Sequence, residues 1–153
     1  MARIVVGVDD SQGGRAALGW ALDEAALRSA ELEVVHVWSL PLVEGWNSDW
    51  PADAAWFRAQ ASDFLDRVIV EAGGRDGVVV TPLPVEEHVP AFGLLGRAAG
   101  ADLMVVGSRG RGGFKGLLLG SVSTQVVHHA TCPVVVVKTD DEPSVLSAQP
   151  AEQ

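Results

Sequence analysis

Four short runs in this chain are apolar at nearly every position: Arg3 to Val8 (RIVVGV), Glu33 to Trp38 (EVVHVW), Leu103 to Val106 (LMVV) and Pro133 to Lys138 (PVVVVK). A strand with one face in water alternates apolar and polar residues, whereas continuous runs demand cover on both faces, as in a parallel sheet between two helix layers. The segments between the runs switch to helical spacing. Ser11 is placed to cap a helix whose Ala17, Leu18, Ala21, Leu22 and Ala25 recur at three and four residues. A second helix is expected from near Pro51, with Phe57, Ala61, Phe64, Leu65, Val68 and Ala72 on one face and Gly73-Gly74 at its end. Shorter helices are expected over Pro90 to Ala99 and Ser121 to Ala130. Val78 to Val85 (VVVTPLPV) reads as a further strand, but Pro82 and Pro84 cannot donate to a ladder, which confines it to the sheet edge. The fold class is therefore α/β, an open five-stranded parallel sheet with helices on both faces, Rossmann-like in plan.

At 153 residues and 48% hydrophobic, the chain suits one domain, expected over residues 1–138, followed by an acidic, solvated tail over residues 139–153. The loop from Ser39 to Trp50 carries Trp46 and Trp50, which read as packing on the domain. The net charge of −9 argues against nucleic acid or an anionic membrane as partner, since both reward a basic surface. Cys132 is the only cysteine, so no internal disulfide can form, and it reads as a small core residue. The opening Met-Ala-Arg-Ile-Val-Val-Gly lacks the apolar core of a signal peptide, and the expected location is cytoplasmic.

The charge is uneven. From Leu103 through Thr139 there is no Asp or Glu, and Arg109, Arg111, Lys115 and Lys138 fall inside that span. Its centre, Gly107 to Ser123 (GSRGRGGFKGLLLGSVS), holds six glycines and three cations. Gly107 lies where the fourth strand ends, and ligands of open parallel sheets sit outside the carboxyl ends of the strands. Glycines there let the backbone take positive φ and let N–H groups approach a ligand with no Cβ in the way. Gly120-Ser121-Val122-Ser123 opens a helix whose free N–H groups and dipole suit a phosphate. Two familiar phosphate motifs do not fit. The chain contains no Gly-Lys pair, which excludes a P-loop, and the third position of a Gly-x-Gly-x-x-Gly starting at Gly110 is Lys115.

The spacing that fits is Gly107, two residues, Gly110, nine residues, Gly120-Ser121. Together with IVVGVDDS at Ile4 to Ser11, ADLMVVGSRGRGG at Ala101 to Gly113 and HHATCPVVVVK at His128 to Lys138, it resembles the nucleotide-binding pattern G-x2-G-x9-G-(S/T) of the universal stress protein family. The resemblance covers Ala2 to Lys138. It implies a sheet in the order 3-2-1-4-5 and a cleft for ATP, with Mg2+ as its companion, over the ends of the first and fourth strands. By position it implies contacts from Gly7, Val8 and Asp9 after the first strand, from Val37 along the adenine, and from Val106. It assigns the phosphates and ribose to Gly107, Ser108, Arg109, Gly110, Arg111, Gly112 and Gly113 and to Gly120, Ser121, Val122 and Ser123. It further implies a homodimer paired through the last strand, Val134 to Lys138, and a nucleotide-dependent regulator of stress response whose protein partner is unknown. Many relatives carry a glycine near His88, a departure placed away from the phosphate contacts.

Each residue also has a plainer reading. Asp9 serves a ligand or a turn, while Asp10 and Ser11 read as the helix cap. Lys115 reads as solvated and Arg109 and Arg111 as better placed, with main-chain groups as the chief source of affinity. Ser121 and Ser123 are helix-start hydroxyls, open to phosphorylation as the resemblance allows. His128 and His129 lie about 100° apart on a helix and cannot chelate a metal as an i, i+4 pair. His36 reads as a core or pocket-floor residue. Hydrolysis would need a group to orient water and a carboxylate for magnesium, and the acid-free span offers neither. Three classes of function remain: an ATP-binding regulator, a slow ATPase or autophosphorylating enzyme, and a cyclic-AMP-binding module.

Overall fold

The computed structural model describes residues 1–41, 54–111 and 117–139, and within them the alternation read from the sequence is realised. The elements are β1 (Arg3–Gly7), α1 (Gln12–Arg28), β2 (Glu31–Trp38), α2 (Ala54–Ala72), β3 (Val80–Glu86), α3 (Pro90–Ala98), β4 (Leu103–Gly107), α4 (Ser121–His129) and β5 (Val134–Val137). Every pairing is parallel and the strand order is β3-β2-β1-β4-β5. β2 starts ahead of its apolar run because Glu31 and Leu32 already pair with Arg3 and Ile4. Trp46, Trp50, the start of the second helix near Pro51, Gly112, Gly113, Lys115 and the expected acidic tail beyond Thr139 lie outside the described residues.

The continuous apolar runs serve two cores. Successive strand residues point to opposite faces, so Ile4, Val6, Leu32, Val34, Leu103 and Val105 meet Leu18, Leu22, Phe64 and Leu65 of α1 and α2. Val5, Val35, Met104 and Val106 meet Leu94, Ala98 and Val126 of α3 and α4 on the other side. Ile4, Val5, Val6, Leu32, Val34, Val35, Met104 and Val105 are all 0% exposed, and burying such a side chain contributes about 1.5–3 kcal/mol. Cys132 packs, half-buried, against the α3 and α4 side, in keeping with its reading as a small core residue.

Parity explains how β3 tolerates its prolines. The Glu87 N–H donates to the Trp38 carbonyl at 2.9 Å, so odd-numbered residues turn their donors towards β2. Pro82 and Pro84 are even-numbered, paired opposite Val34 and His36, and their missing N–H groups fall on the free edge.

The amino-terminal side of the sheet is tied by one cation. Arg3 reaches Glu33 at 3.0 Å and the carbonyls of Arg97 and Ala99 at 3.0 and 2.8 Å, while its main-chain N–H donates to Asp102 at 2.7 Å. This ties β1, β2 and the α3 to β4 turn together, away from the carboxyl ends. There, β1 leads through α1 to β2 on one side, while β4 lies on the other, and the chain ends diverge at a switch point between β1 and β4.

α1 holds one replaceable weakness. A Cβ on Gly19, in its middle, would meet nothing within 4 Å. Gly19→Ala should therefore gain the helix propensity of alanine, about 0.5–1 kcal/mol, and raise the thermal midpoint by about 3 °C in calorimetry, an unchanged or lower midpoint contradicting this account.

Candidate functional site

Asp9, just past β1, organises the site. Its Oδ1 accepts the main-chain N–H of Ser11 at 3.1 Å and the Ser11 hydroxyl, and its Oδ2 accepts the main-chain N–H of Arg111 at 3.2 Å. The Ser11 oxygen in turn accepts the N–H of Gly14 at 3.0 Å, which makes Ser11 the amino-terminal cap of α1 as expected. Asp10 is no cap; it pairs with Arg15 at 3.2 Å and with Arg111 at 3.5 Å. Both oxygens of Asp9 thus already hold protein donors, and its carboxylate latches the segment after β4 to the start of α1.

Main chain lies on main chain beside this latch. A Cβ on Gly13 would stand 2.4 Å from the Arg109 carbonyl oxygen, and one on Gly107 would stand 2.7 Å from the Gly13 carbonyl. A Cβ on Gly110 would come within 2.6 Å of Asp9 Oδ2. The expectation that glycines in this stretch supply positive φ is corrected at Gly107, Gly110 and Gly120, since positive φ among the described glycines occurs at Gly73, Gly77 and Gly100. At Gly107 and Gly110 the requirement is close approach.

Ser108 closes the base of the loop. It is buried, its N–H donates to the Val137 carbonyl at 2.8 Å, and its carbonyl accepts the Gly120 N–H at 2.7 Å and the Ser123 hydroxyl at 2.8 Å. Of the loop residues expected at the site, Ser108 is not among those that line the cleft. The Ser123 hydroxyl is likewise engaged, whereas Ser121 is exposed. α4 begins with no side-chain cap on its first turn, leaving the N–H groups of Ser121, Val122 and Ser123 for a ligand.

Around these parts lies a cleft of about 430 Å3, within the range of small-molecule sites. Of the residues expected from the sequence, Gly7, Val8, Asp9, Val37, Val106, Gly107, Arg109, Gly110, Arg111, Gly120, Ser121, Val122 and Ser123 line it. His36 lines it too, as the pocket-floor reading anticipated; its Nδ1–H donates to the Val8 carbonyl at 3.0 Å and its ring lies 4.4 Å from that of Phe64. The start of α3 was missed: Val89, Pro90, Ala91 and Leu94 form an apolar wall with Val8 and Val37, and Gly14 and Gln125 complete the lining. A signal for that wall existed, because every strand-to-helix turn of a doubly wound sheet emerges at the same end. The cleft is apolar on its β2 side, and its β4 side is lined by Gly107, Arg109, Gly110 and the first turn of α4.

The charges are arranged unequally. Arg109 Nε is buried with no partner, and among the described residues Arg109 forms no ion pair. Arg15 bridges Asp10 and Glu71; hydrogen bonding to Glu71 first, then to Asp10, pushes its guanidinium further above the ordinary arginine range. No group of three or more His, Cys, Asp or Glu gathers among the described residues. No helix among the described residues is long and apolar enough to cross a membrane.

An open parallel sheet with helices on both faces and a cleft at its switch point defines a doubly wound α/β domain. The model of the universal stress protein family matches residues 1–138, and the chain belongs to that family. Universal stress protein Rv2623 of Mycobacterium tuberculosis is 38% identical over 143 residues, covering 90% of this chain and 45% of its own length. This chain thus spans about half the length of the curated relatives it matches. A universal stress protein solved in complex with cAMP superposes with a TM-score of 0.61 at 28% identity, over 90% of this chain and 96% of that one. Another, from Archaeoglobus fulgidus and solved in complex with dAMP, gives a TM-score of 0.54 at 25% identity, over 89% and 97%.

The glycine contact yields a sharp expectation. Gly13→Ala would favour the helix by about 1 kcal/mol on propensity alone, yet its Cβ would meet main chain that cannot turn aside. The net effect should be a loss of about 1–3 kcal/mol in denaturant unfolding, opposite in sign to Gly19→Ala; a stabilised Gly13→Ala would refute the contact.

Proposed function

We propose that this chain binds an adenine nucleotide, ATP in the first instance, and acts as a nucleotide-dependent regulator in stress physiology. The observation that carries the reading is the two-sided cleft, an apolar wall from Val8, Val37 and the start of α3 facing Gly107, Arg109, Gly110 and the uncapped first turn of α4. A base suits the first and phosphates suit the second, where each charge-assisted hydrogen bond contributes about 1.5–3 kcal/mol. The relatives solved with cAMP and dAMP support the same ligand class. A cytoplasmic placement goes with such a ligand.

Binding is favoured over turnover. Asp9 is the only carboxylate on the cleft wall among the described residues, and both its oxygens are held by Ser11 and Arg111. It is poorly free to orient an attacking water. Cyclic AMP is the second reading, supported by the neighbour solved with it and by the pairing of Arg111 with Asp10, which offsets positive charge beside the cleft.

The test is the nucleotide content of freshly purified protein, denatured and separated with mass detection, next to Gly110→Ala, whose Cβ would displace the Asp9 latch. Bound adenine nucleotide in the parent, lost or reduced at least about tenfold in the variant, is expected. An empty protein that also ignores ATP and cyclic AMP in calorimetry overturns the reading.

A homodimer through β5 accompanies this proposal. Met104 and Ser108 donate to the carbonyls of Pro133 and Val137, so odd-numbered residues of β5 face β4 and the N–H of Val136 points to the outer edge. Val136→Pro removes that outward donor and spares the β4 ladder. Light scattering should show a dimer in the parent and a folded monomer in the variant; a parent monomer, or a variant that remains dimeric, refutes edge pairing.

A further inference from the structure

Two arginines beside the glycine loop stand in opposite electrostatic situations. Arg109 lines the cleft without a carboxylate, its Nε buried and unpartnered. Arg111 also lines the cleft, but its Nη2 lies 3.5 Å from Asp10 Oδ2, and its side chain is 72% exposed. Asp10 is itself held from behind, with Oδ1 3.2 Å from Arg15, which continues to Glu71. The carboxylate therefore has a charged neighbour on α1 that is itself paired with α2. Two positive charges, Arg109 and Arg111, are matched there by two negative ones, Asp9 and Asp10.

We propose that Asp10 is a specificity-determining residue that sets how many phosphates the cleft accepts, by competing for Arg111 with the outer phosphates of a nucleotide. The inference rests on the adenine-nucleotide reading and deepens it. A phosphate close to the base can be held by the α4 first turn, the loop main chain and Arg109, none of which is bonded to Asp10. Phosphates further out reach the exposed side of the loop, where they meet an arginine already neutralised and the field of a carboxylate. Each added negative charge then gains less than a free Arg111 would give it. An ion pair this exposed is weak enough to be exchanged, so Asp10 grades the preference without excluding polyphosphates.

The experiment is calorimetric titration of the full chain with ATP and, separately, with cyclic AMP, on the parent, on Asp10→Asn and on the double variant Asp10→Asn with Arg111→Ala. Asp10→Asn should tighten ATP about 5- to 10-fold and cyclic AMP by no more than about 2-fold, with the gain fading at high salt and vanishing in the double variant. Where thermal melting shows that asparagine disturbs the fold, Asp10→Ser reads the same competition. An unchanged ATP to cyclic AMP ratio, with both ligands binding the parent, overturns the role of Asp10 and leaves the nucleotide reading standing. Failure of both ligands to bind the parent overturns the nucleotide reading and this inference with it.

Discussion

The structure depends on main chain meeting main chain where the first turn of α1 crosses the end of β4. Gly13 against Arg109, and Gly107 against Gly13, set a separation that no side chain could tolerate. That contact draws the loop after β4 over the end of β1, and the Asp9 bonds to Ser11 and Arg111 then hold it there. The cleft follows from this closeness, because the wall built by α3 and the donors presented by α4 face each other across the ground that the contact fixes. The glycines act chiefly by what they lack, and their value lies in distance rather than in unusual dihedral angles.

Much of the fold was legible because its two strongest signals are local. Continuous apolar runs state that a strand is covered on both faces, and the prolines of VVVTPLPV state that this strand must lie at an edge. Ser11 stated its cap for the same reason, since the cap and the Gly14 N–H that it accepts are three residues apart. The site was legible in part. Gly107 to Arg111 and Gly120 to Ser123 are spaced by a pattern that can be read along the chain, whereas Val89 to Leu94 enter the cleft only because β3 and α3 fold back beside it. Gly13 and Gly14 were overlooked because a glycine near a helix start looks ordinary until the element packed on it is known. The engagement of Asp9 was equally out of reach: its bond to Arg111 joins residues 102 positions apart.

Several elements draw on the same few groups at this end of the sheet. Ser108 illustrates it, for one carbonyl receives both Gly120 and Ser123 while its N–H anchors β5 through Val137. Loop, helix and outermost strand therefore meet at a single residue. The opposite end is independent of this, being fastened by Arg3 to Glu33, Arg97, Ala99 and Asp102.

The prolines of β3 carry a consequence for assembly. A sheet with two open edges can add copies at both and grow into a ribbon of unlimited length. Here Pro82 and Pro84 strip two donors from one margin, so among the described residues it is the β5 margin that keeps its outward donors for a full ladder. Were two copies to join there, as proposed, neither would keep a competent margin. The prolines would then act as chain terminators, and assembly would stop at the pair.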